Sequence, residues 1–147
     1  MRYIIRKFEA LTPLELYTLL KLRQEIFILE QACLYPDIDG KDEGAYHLMA
    51  FEGDRLLGCL RILEKGVSFE DASIGRVAVA FAHRGRGIAK AIMLEALAFI
   101  ERERKETRVR ISAQSYTIPF YAGVGFRVVG EEYLEDGIWH VEMVWGA

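Results

Sequence analysis

The sequence predicts a single α/β domain, residues 1–147, built around a mixed central sheet. Two segments with helical periodicity, residues 14–30 and 86–104, alternate with short strand-like runs. The runs before the second helix follow one another through tight turns, as antiparallel strands do. With 147 residues, 52% of them apolar, the chain is long enough for one buried core and too short for two comfortable domains.

The first half of the chain is predicted to contain four strands and one helix. Thr12, Pro13 and Glu15 have the residue types of an N-cap, a first-turn proline and a capping-box partner, so a helix should begin there. The strands are expected at residues 3–8, 46–51, 55–63 and 73–80, with a tight Gly53-Asp54 turn between the middle two and a polar loop over residues 35–44.

The second half begins with the long helix over residues 86–104, whose apolar residues fall on two adjacent stripes. A strand over residues 108–113 and a short helix follow, with Pro119 in the first turn of the helix and Gly123 or Gly125 closing it. The last two strands, residues 126–134 and 137–145, should pair as a hairpin around Asp136-Gly137.

Composition excludes several classes of function. The net charge of −3 argues weakly against a nucleic-acid partner. No run approaches the roughly 18 apolar residues of a membrane span, and the apolar run near the N-terminus is too charged for a signal peptide. Cys33 and Cys59 lie in apolar segments, which favours reduced thiols and a cytoplasmic location. The three histidines, at positions 47, 83 and 140, lack metal-ligand spacing, so no metal is expected.

A glycine loop lies between the apolar run at residues 77–82 and the long helix. Backbone N–H groups at a helix start have no intrahelical partner, and Gly85 and Gly87 would let an anion approach them closely. A nucleotide P-loop would need Lys-Ser/Thr where Ile88-Ala89 stands, and a dinucleotide fingerprint would need a small residue at Lys90. From the glycines alone, a phosphate seat and a tight turn that binds nothing are equally acceptable.

Two motifs resemble those of the GCN5-related N-acetyltransferase (GNAT) superfamily. Arg84-Gly85-Arg86-Gly87-Ile88-Ala89 matches its Arg/Gln-x-x-Gly-x-Gly/Ala signature, and IPFYAGVGF, residues 118–126, resembles its second signature. The resemblance covers essentially the whole chain. Residues 27–48, 113–114 and 131–143 further resemble the ElaA-like branch. The resemblance implies the GNAT fold, a mixed sheet of about six to seven strands flanked by about four helices.

The resemblance also implies acetyl-CoA as co-substrate. The pyrophosphate would lie on the loop amides, the pantetheine arm along the edge of the strand before the loop, and an amide side chain near the pantetheine. Many members carry asparagine at this last position, where the present chain has glutamine. The side chain of Arg86 could equally contact phosphate or remain a solvated charge. The matching residues are Val77, Ala78, Val79, Arg84, Gly85, Arg86, Gly87, Ile88, Ala89 and Gln114.

The implied reaction is transfer of an acetyl group to a small-molecule or peptide amine. The amine must lose a proton before attack, and the CoA thiolate must gain one as it leaves. Tyr121 matches the family's usual general acid; its alternative role is packing in the core. His140 is the candidate base, or a structural histidine. Glu30 is a second candidate base, in the region where the family binds acceptors.

The acceptor itself is not specified by the sequence. Asp39 belongs to an acidic loop, with Asp37, Asp42 and Glu43, that either attracts a cationic amine or is simply solvated. His47 follows this loop and is equally ambiguous. Two rival functions stay open, a non-catalytic acyl-CoA sensor and a nucleotide-binding module. The sequence is also compatible with a homodimer.

Overall fold

The computed structural model describes residues 1–147 as seven strands and three α-helices. This confirms the predicted α/β class and the strand number, with one helix fewer than the resemblance implied. In chain order the elements are β1 (Arg2–Lys7), α1 (Pro13–Arg23), β2 (Tyr46–Glu52), β3 (Arg55–Leu63), β4 (Ser73–Val79), α2 (Ile88–Glu103), β5 (Arg108–Gln114), α3 (Ile118–Val124), β6 (Arg127–Glu135) and β7 (Ile138–Gly146). No helix is long and apolar enough to cross a membrane.

The predicted first helix begins where expected and then changes character. Thr12 and Glu15 form a complete capping box, with side-chain to backbone bonds of 3.1 and 2.9 Å. The α-helix ends at Arg23, and the chain continues as a π-helix over Gln24–Glu30, so the prediction of one regular helix over residues 14–30 was wrong. The spacing of apolar residues does not distinguish an α-helix from a π-helix, because both bury a similar apolar stripe.

The strands form two antiparallel sheets where the sequence predicted one mixed sheet. The first has the order β1-β2-β3-β4 and the second β5-β7-β6. They meet at a single parallel bridge between Ala72 and Val109, beside which the Arg110 N–H donates to the Ala72 carbonyl at 2.9 Å. Beyond this bridge β4 and β5 diverge, so the edge of β4 that faces β5 has no strand partner.

A β-bulge interrupts β4 next to this gap. Between the pairs Cys59–Ala78 and Arg61–Gly75, β4 uses one more residue than β3. Arg76 lies in the bulge with a φ of +51°, a conformation rare for a residue with a side chain. Bulges redirect side chains out of the regular alternation, and here Arg76 reaches the cleft between the sheets.

The two sheets share one hydrophobic core that α2 completes. The apolar face of α2 packs against both sheets through Ile92, Met93 and Ile100, which are fully buried. Both predicted hairpin turns are confirmed, since Glu52 pairs with Arg55 in the first, and Asp136-Gly137 in the second have φ values of +52° and +76°.

Candidate active site

The gap between β4 and β5 opens into a cavity of about 940 Å³. Its walls come from the bulged strand β4, the polar face of the second sheet and the loop that follows the π-helix. Five of the residues proposed from the sequence line it: Asp39, Val77, Gln114, Tyr121 and His140. Residues distant in sequence, from the loop before β2 to the last strand, therefore meet at one place.

The glycine loop provides an anion cradle beside this cleft. Gly85 and Gly87 have φ values of +81° and +76°, and a Cβ on either would find no atom within 4 Å. The backbone N–H groups of residues 85–90 have no acceptor within the chain, and they lie at the N-terminus of the 16-residue helix α2. Open N–H groups at a helix start fit a phosphate, so the loop fits the pyrophosphate of an acyl-CoA.

The open edge of β4 leads from the cradle into the cavity. The Ala80 N–H donates to the Leu57 carbonyl of β3 at 2.8 Å, so the backbone groups of the preceding residue, Val79, point the other way. The Val79 carbonyl does accept a bond from that side, from Arg84 Nε at 3.2 Å. An extended, amide-containing arm such as pantetheine fits an edge of this kind as an added strand would.

The two arginines of the loop are both engaged by carboxylates. Arg84 makes a bidentate pair with Glu30, the last residue of the π-helix, at 2.6 and 2.9 Å. Arg86 donates to Glu52 at 2.9 Å and contacts His83. In this structure the open positive character of the loop therefore comes from its backbone.

Tyr121, on α3, presents its ring to the cavity. The ring packs edge-on against Phe120 and Phe126, with centroids 5.0 and 5.9 Å away. The hydroxyl makes no hydrogen bond within the chain, and burial raises the pKa of Tyr121 to about 12. Tyr121 therefore packs against its aromatic neighbours while its hydroxyl lacks a partner in the chain, and its role as general acid stays a prediction.

His140 lies on β7 and also lines the cavity. Its Nδ1 is 2.8 Å from the Ile138 carbonyl oxygen. Since a carbonyl can only accept, Nδ1 carries a proton, and in the neutral form of the ring Nε2 therefore holds a lone pair. The ring stacks on Tyr133 with centroids 6.0 Å apart and 22° between the planes. In that form the oriented imidazole is chemically able to accept a proton at Nε2.

The acidic loop is occupied by arginines that the sequence analysis did not connect with it. Three arginines, Arg23, Arg61 and Arg76, pair with Asp37, Asp39 and Asp42 at N–O distances of 2.6–3.3 Å. Hydrogen bonds from Arg61 hold the pKa of Asp39 well below its ordinary value. Burial alone would raise the pKa of Asp42, yet the bonds and charges of Arg23 and Arg61 hold it low. The loop is neither a free cation trap nor a solvated surface.

Comparison with known proteins identifies the family. The family model of the acetyltransferase (GNAT) domain matches residues 17–147. The chain belongs to the GNAT family. The ElaA protein of Escherichia coli is 37% identical over 131 residues, which are 88% of this chain and 86% of that protein. A UPF0039 protein of Synechocystis is 34% identical over 140 residues, 95% of this chain and 91% of that protein.

Solved structures agree with this assignment. The crystal structure of an acyl-CoA N-acyltransferase from Pseudomonas aeruginosa has a TM-score of 0.92 and 38% identity, over 99% of this chain and 100% of that one. The structure of Escherichia coli ElaA has a TM-score of 0.90 and 34% identity, over 99% of each chain. The ElaA-like branch of the GNAT family is therefore confirmed, and the family and its neighbours support acyl transfer.

Within this GNAT fold, two residues proposed for the acceptor lie outside the cavity. His47 is completely buried, and its Nε2 donates to the Asp42 carbonyl at 2.9 Å. Burial also lowers the pKa of His47. Glu30 is held by Arg84 near the glycine loop. The structure instead brings Tyr133, Glu135 and Asp136 to the cavity wall, residues that the sequence analysis did not single out. Their signal was the hairpin pattern, which places them beside His140.

Proposed function

We propose that the protein transfers the acetyl group of acetyl-CoA to the nitrogen of a primary amine, a small molecule or a peptide, by direct attack. One observation carries the proposal. The anion cradle and the unpaired edge of β4 lead into a single cavity, and that cavity is lined by Tyr121 and His140. A cradle, an edge and two proton-handling groups are what acyl transfer from a CoA thioester to an amine requires.

His140 would remove the proton of the amine. Its Nδ1–H is committed to the Ile138 carbonyl, so a proton taken by the ring arrives at Nε2. Stacking on Tyr133 and the pairing of β7 with both β5 and β6 fix the position of the ring. The result is a neutral amine, whose lone pair is free to attack the carbonyl carbon.

Tyr121 would deliver the proton that the leaving thiolate needs. A pKa of about 12 keeps its hydroxyl protonated at neutral pH. An ordinary thiol, with a pKa near 8.5, would be a poor partner for so weak an acid. Burial, however, raises thiol pKa values too, as it does for Cys59, whose pKa is about 12. The pKa of a CoA thiol beside Tyr121 would be raised in the same way, which brings the pKa values of the proton donor and the proton acceptor closer together.

The proposal is tested by measuring CoA release from acetyl-CoA with a panel of primary amines, and by identifying the acetylated product by mass spectrometry. We expect turnover that depends on both substrates. Tight binding of acetyl-CoA without turnover on any amine would instead favour the acyl-CoA sensor. Thermal stabilisation by ATP, but not by acetyl-CoA, would favour the nucleotide-binding module.

A further inference from the structure

A second feature of the cavity concerns the pair formed by His140 and Glu135. The Nε2 atom of His140 lies 3.5 Å from Oε2 of Glu135. When the ring is neutral, its proton lies on Nδ1 and Nε2 is a hydrogen-bond acceptor, as is a carboxylate oxygen. In that neutral state two acceptors face each other across the gap, and a proton donor is needed to join them: a cationic N–H group of a ligand placed between them or, once the ring is protonated, its own Nε2–H.

The His140 side chain of this pair is held in place by its neighbours, whereas the Glu135 side chain is accessible from the cavity. His140 is only 7% exposed, yet it lines the cavity and its Nε2 makes no hydrogen bond. Tyr133, which stacks on the ring, is itself bonded through its hydroxyl to Ser112. The Glu135 side chain is 54% exposed, so a ligand in the cavity can reach it.

Two of the other carboxylates of the cavity wall are already paired with arginines. Glu142 pairs with Arg110 at 2.8 Å, and Asp39 pairs with Arg61 and Arg76. Of the four carboxylates that line the cavity, only Glu135 and its neighbour Asp136 lack an arginine or lysine partner. The unbalanced negative charge of the cavity is therefore concentrated at the β6–β7 turn, beside His140.

We infer that Glu135 and Nε2 of His140 together bind the ammonium form of the acceptor, which makes Glu135 the residue that selects cationic amines. The inference rests on the proposed function and deepens it. The ammonium donates one N–H to Oε2 and another to Nε2. The proton on the Nε2 side then moves to the ring. One N–H bond of the ammonium breaks, one forms on the imidazole, and the positive charge passes to His140 beside Glu135, leaving the amine its lone pair.

The test compares a cation with a neutral molecule of the same shape in the full-length protein. Benzylamine is an ammonium ion at neutral pH, and benzyl alcohol is uncharged. Dissociation constants of both are measured by NMR titration for the native protein, Glu135→Gln and Asp136→Asn. Asp136→Asn removes the same charge one residue away, and asparagine tolerates the positive φ of that turn.

We expect the native protein to prefer benzylamine, and Glu135→Gln to weaken benzylamine binding roughly fivefold, the size expected for a half-exposed ion pair. Benzyl alcohol should bind equally to all three proteins, and Asp136→Asn should bind benzylamine like the native protein. The inference is overturned if the native protein shows no preference for benzylamine, if Asp136→Asn loses as much as Glu135→Gln, or if both ligands weaken together.

This outcome is separable from that of the proposed function. Selective benzylamine binding that depends on Glu135, without CoA release from acetyl-CoA and any amine, would refute acetyl transfer and leave the ammonium site standing. Turnover on cationic amines with a KM unchanged in Glu135→Gln would support the proposed function and overturn the inference.

Discussion

Replacing Tyr121 by phenylalanine should separate the chemical role of this residue from its packing. The substitution keeps the ring, and therefore its edge-on contacts with Phe120 and Phe126. It removes a hydroxyl that has no hydrogen-bond partner in the chain, so no buried group is left unsatisfied. We therefore expect the free energy of unfolding to change by no more than about 0.5 kcal/mol.

The expected loss of activity is far larger. General acid catalysis typically contributes about 10²- to 10⁴-fold in rate, so the single-turnover rate with acetyl-CoA and amine should fall by that factor while acetyl-CoA affinity stays the same. The pH dependence adds a second criterion. Because an acid acts only while protonated, a pKa of about 12 predicts no alkaline loss of rate from Tyr121 between pH 8 and 10.

The matched control is Tyr116→Phe. Tyr116 also lines the cavity but is 73% exposed, and its hydroxyl is solvated. Its removal should leave the single-turnover rate within about threefold of the native rate, a change of less than 1 kcal/mol in the barrier. A Tyr121→Phe protein with a native single-turnover rate would refute the reasoning, and Tyr121 would then be a core residue only.

Three further outcomes are expected. Gly87→Glu should fold with a free energy of unfolding about 1–2 kcal/mol lower, because φ at this position is +76°. It should bind acetyl-CoA roughly tenfold more weakly than Gly87→Ala, which has the same backbone strain without the charge. Thermal unfolding measures the stability and calorimetry the affinity, and equal affinities of the two variants would place the pyrophosphate away from the loop. Glu30→Gln should release Arg84 and tighten acetyl-CoA binding about two- to fivefold at low salt, whereas Glu25→Gln, which breaks a pair elsewhere in the π-helix, should not. The pKa of His47 is lowered in the folded protein, so the unfolded chain takes up this proton first and the free energy of unfolding should decrease as pH falls below about 6.5. Urea unfolding at pH 5.5 and 7.5 should show a smaller decrease in His47→Gln than in the native protein. An equal decrease in both proteins would exclude His47 as its source.

Local chemistry made some parts of this fold predictable. The capping box of α1 and the Asp136-Gly137 turn depend on residues that are at most three positions apart, and the structure has both. The π-helix was not predictable, since a helical stripe of apolar residues fits either geometry. The division into two sheets was also hidden, because the alternation of a strand shows which residues it buries but not whether its next neighbour continues to pair.

The acidic loop shows how long-range pairing changes a functional interpretation. From the sequence, Asp39 and its neighbours were expected either to attract a cationic acceptor or to be solvated. Their partners lie 14 to 39 residues away, on α1, β3 and the bulge of β4, so no local pattern could reveal them. The three arginines neutralise the three aspartates and tie the loop to α1 and to strands β3 and β4.

Because the aspartates are neutralised, the expected preference for a cationic acceptor depends on a different carboxylate of the cavity. Once Asp39 is matched by Arg61, the carboxylate that can still meet an incoming charge beside a proton acceptor is Glu135, at the far wall. The three arginines and the three aspartates balance one another, so an ammonium that enters the cavity meets an unpaired carboxylate at the β6–β7 turn. This unbalanced negative charge should draw the amine toward His140, the group proposed to deprotonate it.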